Sequence, residues 1–336
     1  MKNPILNALT IDLEDYYMVS AFEPVVKRED WHKYESRIER NTHRILEILS
    51  DAKPASPQFK TQNSKFEIAR DAAYDSPPDS GVRATFFCLG WIAEKYPGLI
   101  REITGCGHEI ANHGYDHSLV YNMTHGEFRE DVRKSKKILE DAAGKEVVGY
   151  RAPSYSITAK SLWALPILAE EGYRYDSSIF PIHHDRYGIP DAPRFPFLVD
   201  LDGVHGNREV KLPDFDNVKT VDASMDASNG RFIVEYPIST VKLWGLNMPI
   251  SGGGYMRLFP YGVTKKGLEK INKDEEKPFV IYLHPWELDP EQPRFNDLSA
   301  LSRFRHYVNL DGTAEKLRRL LSDFTFSSMR EVIGLE

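Results

Sequence analysis

Cysteine is scarce: Cys88 and Cys106 are the only thiols in a chain of 336 residues. They are too few for a disulfide scaffold and too far apart for a zinc knuckle, so both read as ordinary buried or half-buried thiols. Long hydrophobic runs are lacking too. The opening Met-Lys-Asn-Pro leads straight into a strand pattern, without the apolar core or small-residue cleavage site of a signal peptide, and no later run approaches a membrane span. The expectation is a cytoplasmic protein with no integral membrane segment. A basic surplus is also absent. The net charge of -7 and pI near 5.9 argue against nucleic acid or an anionic membrane surface as the main partner and leave a neutral or cationic ligand.

What is there has the texture of a globular protein: 41% hydrophobic and 28% charged residues rule out a disordered or fibrous chain. The length suits one large α/β domain or two smaller ones. The apolar run at residues 5–11 ends abruptly in Asp12, Glu14 and Asp15, which reads as a buried strand carrying carboxylates to its C-terminal end. Residues two apart on a strand share a side, so Asp12 and Glu14 face one cleft while Leu13 packs backwards. Two such carboxylates repel and call for a cation, a proton or both. Taken alone, the stretch reads equally well as a strand running into an acidic surface turn.

Residues 16–34 are aromatic and irregular, expected as a cleft-lining loop, and 36–50 form a helix with Ile38, Ile45, Ile48 and Leu49 on its apolar stripe. From 51 to 81 the pattern dissolves into Pro, Ser, Lys and Asp, the mark of an inserted surface loop. Expected strands at 82–89, 109–111, 147–150 and 173–175 then alternate with helices, one of them opened by a Thr124/Glu127 capping box and another at 158–171. That alternation indicates a parallel sheet or barrel. Residues 181–261 are irregular, with strands expected at 210–212 and 231–236. Residues 278–283 are the last strong strand and 313–321 the last amphipathic helix. There is no internal repeat.

His113-Gly-Tyr-Asp-His117 spaces two imidazoles four apart, which on a helical turn puts both on one side and suits a divalent metal of zinc type. Glu14 supplies a third ligand and leaves open coordination positions, as a catalytic metal requires. The residue after His113 is glycine, so a general base must come from elsewhere, and Asp12 neighbours the metal carboxylate. Arg151, at the end of a strand and before a proline-stiffened turn, is placed to hold Asp12 ionised through a paired hydrogen bond. Asp176 and His284 close two further strands. Singly, the histidine pair reads as surface or capping residues, Arg151 as a surface ion pair and His284 as a core histidine. Together, Asp12, His113, Arg151, Asp176 and His284 all fall where α/β barrels assemble their sites. Gly252-Gly253-Gly254 lacks the Lys-Ser/Thr partner of a phosphate loop and reads as a tight backbone turn.

Thr10-Ile11-Asp12, His113-x-x-x-His117, Arg151-Ala152-Pro153, Asp176-Ser177-Ser178 and Leu283-His284-Pro285, in that order, resemble the motifs of the polysaccharide deacetylase superfamily with its NodB-homology domain, of carbohydrate esterase type. Asp12-Leu13-Glu14-Asp15-Tyr16-Tyr17, Ser251-Gly-Gly-Gly-Tyr255, His284-Pro-Trp-Glu287 and residues 301–308 resemble the subfamily of exopolysaccharide loci, which carries a C-terminal extension. The resemblance implies an α/β fold, a distorted (β/α) barrel over residues 1–290 with the insertion at 51–81 and the irregular segment at 181–261, and an extension at 291–336 packed on it. It implies metal-dependent N-deacetylation of an acetamido sugar in a bacterial polysaccharide or its precursor.

Residue by residue, Asp12 matches the family's base, His113 and His117 its metal histidines, His284 its general acid, Arg151 the arginine that orients the base, and Asp176 an acid that tunes His284. Many relatives have two consecutive aspartates where this chain has Asp12-Leu13, so the metal carboxylate is Glu14 by strand geometry, with Asp15 as the alternative. Zinc is the first metal expected, with cobalt, nickel or iron(II) as the other candidates. A main-chain N–H near Ser154 or Tyr155 is expected to hold the oxyanion. Tyr155, Trp286 and Tyr17, with Tyr16 and Phe22, are expected to wall the acetyl group and stack on sugar rings. The partners expected are an N-acetylated carbohydrate and polysaccharide assembly machinery. Two other classes stand beside this one: an amidase of the same superfamily opening a small cyclic amide or a formamide, and a non-catalytic glycan-binding component of an assembly complex.

Overall fold

The computed structural model of the chain describes residues 4–52, 81–201, 212 and 232–335. Nearly all of the expected insertion at 51–81 and most of the strand expected at 210–212 lie outside the described residues. At the centre is β1, Leu6–Leu13, which is buried along seven of its eight residues. A strand buried on both faces belongs inside a parallel sheet, and β1 is flanked on both edges. One edge takes β10, Val280–Leu283. The other takes β2, Thr85–Cys88, on the C-terminal half of β1 and β11, Thr325–Ser327, on its N-terminal half. The sheet continues through β3, Glu109–Asn112, β4, Gly149–Tyr150, and β5, Tyr175–Asp176, to β7, Phe232–Glu235, all parallel. Antiparallel β6, Phe197–Asp200, closes the path. The α/β class and the parallel sheet are as expected. The paired strands run from β10 to β6 without a ladder joining those two among the described residues.

Helices follow the strands. α1, Ile38–Asp51, buries the expected stripe, and α2, Gly90–Lys95, α3, Pro97–Gly105, and α4, His125–Ala143, pack against one another. α4 opens with the expected capping box: Thr124 accepts from Glu127 N, and Glu127 accepts from Thr124 N. α5, Ala164–Glu170, is shorter than the periodicity at 158–171 predicts, because turns held by Ser161 occupy the first part.

The C-terminal third holds more structure than its Pro- and Gly-rich composition suggests. β8, Thr240–Leu243, and β9, Leu246–Pro249, make a separate hairpin. The glycines expected as a tight turn instead open α6, Gly253–Leu258, followed by α7, Tyr261–Glu269. α8, Ala300–Tyr307, and the expected α9, Thr313–Asp323, lead to β11 and α10, Met329–Val332. Through β11 the expected C-terminal extension enters the main sheet beside β1. Among the described residues, no helix is long and apolar enough to cross a membrane.

The parallel register sets the site. Leu13 pairs with Cys88, Cys88 with Asn112, Asn112 with Tyr150, Tyr150 with Asp176, and Ile11 with Leu283. His113, Arg151 and His284 each come one residue after a paired position. All three therefore emerge at the same C-terminal edge as Asp12 and Glu14.

Candidate active site

Glu14 sits just past β1, where its N–H bonds back to the Asp12 carbonyl. Its Oε1 lies 3.1 Å from His113 Nε2 and 3.3 Å from His117 Nε2, and all three residues are buried. The two histidines do not share a helical turn, as their spacing suggests. The chain leaves β3 through a loop in which Gly114 and His117 have φ of 77° and 61°, and Arg28 donates to the His117 carbonyl at 3.2 Å. A left-handed backbone at a histidine is unusual and is held here by tertiary contacts.

These donors fit a divalent cation. His113 Nδ1 lies 2.7 Å from the Arg151 carbonyl, which can only accept, so Nδ1 carries a hydrogen and Nε2 is the nitrogen that could present a lone pair. That lone pair meets a carboxylate oxygen, acceptor against acceptor, unless a cation or proton lies between. The three donor atoms all lie within 4.8 Å of one another, and the buried His117 Nδ1 has no partner. Burial alone would raise the Glu14 pKa, but His117, His113 and His284 hold it well below the ordinary carboxylate range.

Asp15, the alternative ligand, is spent elsewhere. Its carboxylate accepts from Tyr16 N, Ser36 Oγ and Arg37 N, tying the strand end to the approach to α1.

Asp12 meets Arg151 through one hydrogen bond, Nη1 to Oδ1 at 2.6 Å, rather than the expected pair. The remaining guanidinium N–H groups hold the arginine itself. Nη1 also donates to Thr10 Oγ1, while Nε and Nη2 donate to the carbonyl and hydroxyl of Ser177. The guanidinium lies 4.1 Å over the Phe87 ring. Asp12 Oδ2 is left toward the cleft, 3.9 Å from His284 Nε2, which is also 3.8 Å from Glu14 Oε1.

Asp176, expected to tune His284, makes its hydrogen bonds elsewhere. Its carboxylate accepts from Ser178 N and Oγ, and Ser178 Oγ in turn accepts from Ala152 N, so Asp176 braces the loop that carries Arg151. Burial raises its pKa, and its buried neighbour Glu235 is raised well above the ordinary range by burial and by the charge of Asp176, so the pair retains a proton. The acid at His284 is Glu287: Oε1 accepts from His284 Nδ1 at 2.8 Å and from His284 N at 3.0 Å, while Oε2 takes Arg257 Nε at 2.6 Å. Burial opposes a charged imidazole, but Glu287, Glu14 and Asp12 outweigh it and raise the His284 pKa to about 9. Against its own burial, Arg257 and His284 bring Glu287 down to about 2. Sequence reasoning missed Glu287 and Arg257. A signal existed in His284-Pro-Trp-Glu287, whose three-residue spacing is that of a capping box with histidine at the N-cap.

The expected sugar platforms are packed inside. Tyr17 is 1% exposed, between Tyr16, Trp31 and Tyr34, and Tyr16 and Phe22 are equally buried, so these aromatic side chains are core rather than cleft wall. Trp286 lies between the His284 ring, at 5.2 Å, and the His306 ring, at 4.1 Å. Tyr155 is 6% exposed, against Phe180, Tyr187 and Tyr282. Its N–H donates to the Ala152 carbonyl, which takes it out of the expected oxyanion role. Ser154 and Tyr155 have φ of 49° and 55°, so this turn, like His117, is strained at the site.

Residues 70–175 match the polysaccharide deacetylase family. A polysaccharide deacetylase domain is thus what this stretch of the chain is similar to. Residues 212–334 match a domain of unknown function, DUF3473, a span that includes β10 and His284 and so crosses the boundary expected at 290. A peptidoglycan-N-acetylglucosamine deacetylase of Bacillus cereus is 36% identical over 91 residues, 27% of this chain and 33% of its own. A peptidoglycan deacetylase of Helicobacter pylori is 31% identical over 102 residues, 30% and 33% of the two chains. A chitooligosaccharide deacetylase of Azorhizobium caulinodans is 35% identical over 71 residues, 21% and 34%. The chain thus spans about a third of the length of these relatives. Among solved structures, a candidate polysaccharide deacetylase of Mycobacterium smegmatis superimposes with a TM-score of 0.52 at 16% identity, over 99% of this chain and 91% of that one. The Puue allantoinase does so at 0.51 and 13%, over 98% and 89%. Both share the α/β fold of the deacetylase domain.

Proposed function

We propose that the protein is a metal-dependent N-deacetylase that hydrolyses the acetamide of N-acetylated sugar units in a bacterial polysaccharide or its precursor, within exopolysaccharide production. One observation carries this: at one edge of the sheet Glu14 lies 3.1 and 3.3 Å from the two histidines, and His284 lies 3.8 Å from Glu14 and 3.9 Å from Asp12, which joins base, acid and a cation-ready donor set. The family match and the curated deacetylases support the substrate class. The exopolysaccharide context rests on the motif resemblance at residues 12–17, 251–255 and 284–287.

Glu14, His113 and His117 would hold the cation, zinc first among the candidates. When bound, it supplies positive charge that polarises the acyl oxygen and eases loss of a proton from water. Asp12, oriented by its hydrogen bond from Arg151, takes that proton as the water oxygen bonds to the acetyl carbon. His284 gives a proton to the sugar nitrogen as the C–N bond breaks, leaving acetate and a free amine. Its Nδ1 is fixed by Glu287, so Nε2 is the nitrogen aimed at the reacting atoms.

Acetate release is measured across N-acetylated polymers, lipid-linked sugars and nucleotide sugars, with and without chelator. Release that stops on chelation and returns with zinc is the expected result. No release from any of them overturns the reading.

A further inference from the structure

We propose that the C-terminal segment matched as a domain of unknown function completes the active site, with Glu287, Arg257 and the glycines at 252–253 serving as positioning residues for His284. The inference rests on the functional reading above, starts from its Glu287–His284 contact and extends it to Arg257, the glycines and the segment that holds them. Glu287 uses a single oxygen, Oε1, for both the Nδ1 and the main-chain N–H of His284, which fixes the ring's tautomer and its direction together. A carboxylate buried this deeply needs a partner. Arg257 from α6 is that partner, and it is fixed in turn by the carbonyls of His306 and Val308 at the end of α8, at 2.7 and 3.0 Å. Lys316 of α9 caps the carbonyls of Met256, Arg257 and Phe259, so α6 cannot drift away from the site.

The face of the His284 ring is held from the same segment. Trp286 stacks between it and His306, and His306 donates through Nε2 to Gln292 Oε1 at 2.7 Å. The glycines explain themselves in this setting. A Cβ at Gly253 would overlap the Glu287 carboxylate, and one at Gly252 would overlap the Tyr282 hydroxyl. Gly252-Gly253 is therefore a clearance that lets α6 bring Arg257 against Glu287.

A group that orients a general acid matters in proportion to how much its leaving group needs a proton. A sugar amine needs one and an aryloxide does not. The test compares acetate release from an N-acetylated oligosaccharide with hydrolysis of 4-nitrophenyl acetate in the full-length, zinc-loaded protein, for wild type, Glu287→Gln and Gly253→Ala. Glu287→Gln leaves Arg257 without its counter-charge and is the variant at risk of misfolding. Gly253→Ala keeps both charges and only displaces the carboxylate. The expected result is a kcat on the amide lowered about 10- to 100-fold, at the low end of what a proton-transfer group contributes. Ester hydrolysis and zinc stoichiometry should stay within about two-fold of wild type, since acyl transfer to water then proceeds without the acid. Equal losses on both substrates, or amide activity surviving both substitutions, overturn the inference alone. Wild-type protein that releases no acetate from any N-acetylated sugar overturns the functional reading and this inference with it.

Discussion

The two ends of the central strands both bury acids and surround them in opposite ways. At the N-terminal end, Glu109 is buried among donors: Thr85 Oγ1 at 2.5 Å, Tyr175 Oη at 2.9 Å and the Arg330 N–H at 3.1 Å all point at its carboxylate. His108 beside it accepts from Ala84 N. The Glu109 carboxylate and His108 Nδ1 each meet a hydrogen. At the C-terminal end the charges crowd without closing on one another: Glu14 Oε1 meets two imidazole nitrogens, and Asp12 Oδ2 faces His284 across 3.9 Å. Non-glycine residues with positive φ gather there, at His117, Ser154 and Tyr155. The same fold thus has one end whose polar groups satisfy each other and one whose groups leave room for the cation and substrate of the proposed reaction. Local conflict of that kind is what a working site retains and a structural network removes.

The largest expected effect strikes the unsatisfied end. Glu14→Ala should lose the cation and with it all measurable turnover, whereas Asp15→Ala should keep the metal, as judged by metal analysis of the purified proteins. Metal loss in Asp15→Ala with retention in Glu14→Ala would reverse the assignment of the carboxylate. Asp12→Asn should keep the metal and lower acetate release by about 10²- to 10⁴-fold, the span ascribed to a general base. Near-normal turnover in that variant would remove Asp12 from the mechanism.

The satisfied end should answer in stability and leave turnover alone. His108 is held by burial, with Arg83 adding to it, at a pKa of about 4 against 6.5 for the free side chain. The unfolded chain therefore takes up a proton between those values while the folded one does not. Stability is full above pH 6.5 and falls as the pH drops toward 4, by up to about 3 kcal/mol. Denaturant midpoints across that window test it, and His108→Gln should flatten the curve. Smallest is Glu109→Gln, in which an amide N–H₂ confronts donors. A cost of about 1 to 3 kcal/mol with kcat unchanged is expected, and a fall in kcat without a fall in stability would erase the contrast between the two ends.

Much of the site was legible because its residues sit at strand ends, and strand ends show in the hydrophobic pattern. Asp12, Glu14, His113, Arg151 and His284 follow apolar runs whose lengths bring them level once the strands are parallel. The tail was less legible. α6 and α8 and the hairpin β8–β9 are short elements rich in glycine or charge, and their periodicity is too brief to register. The aromatics after Tyr16 were misplaced for a different reason: an aromatic residue suits a core as well as a cleft, and only packing decides.

By itself the sequence determined the order of strands and helices, the kinds of side chain that end them, and hence the chemistry available to the domain. Those follow from periodicity and residue type, which are local. Only the tertiary structure decided which acid serves which histidine. Asp176 and Glu287 are both acids next to strand ends, yet parallel register turns one toward Ser178 and the Arg151 loop, while the turn after β10 brings the other back onto His284. Partnerships of that sort depend on where several separate chain segments meet, a distance that no spacing along the chain records.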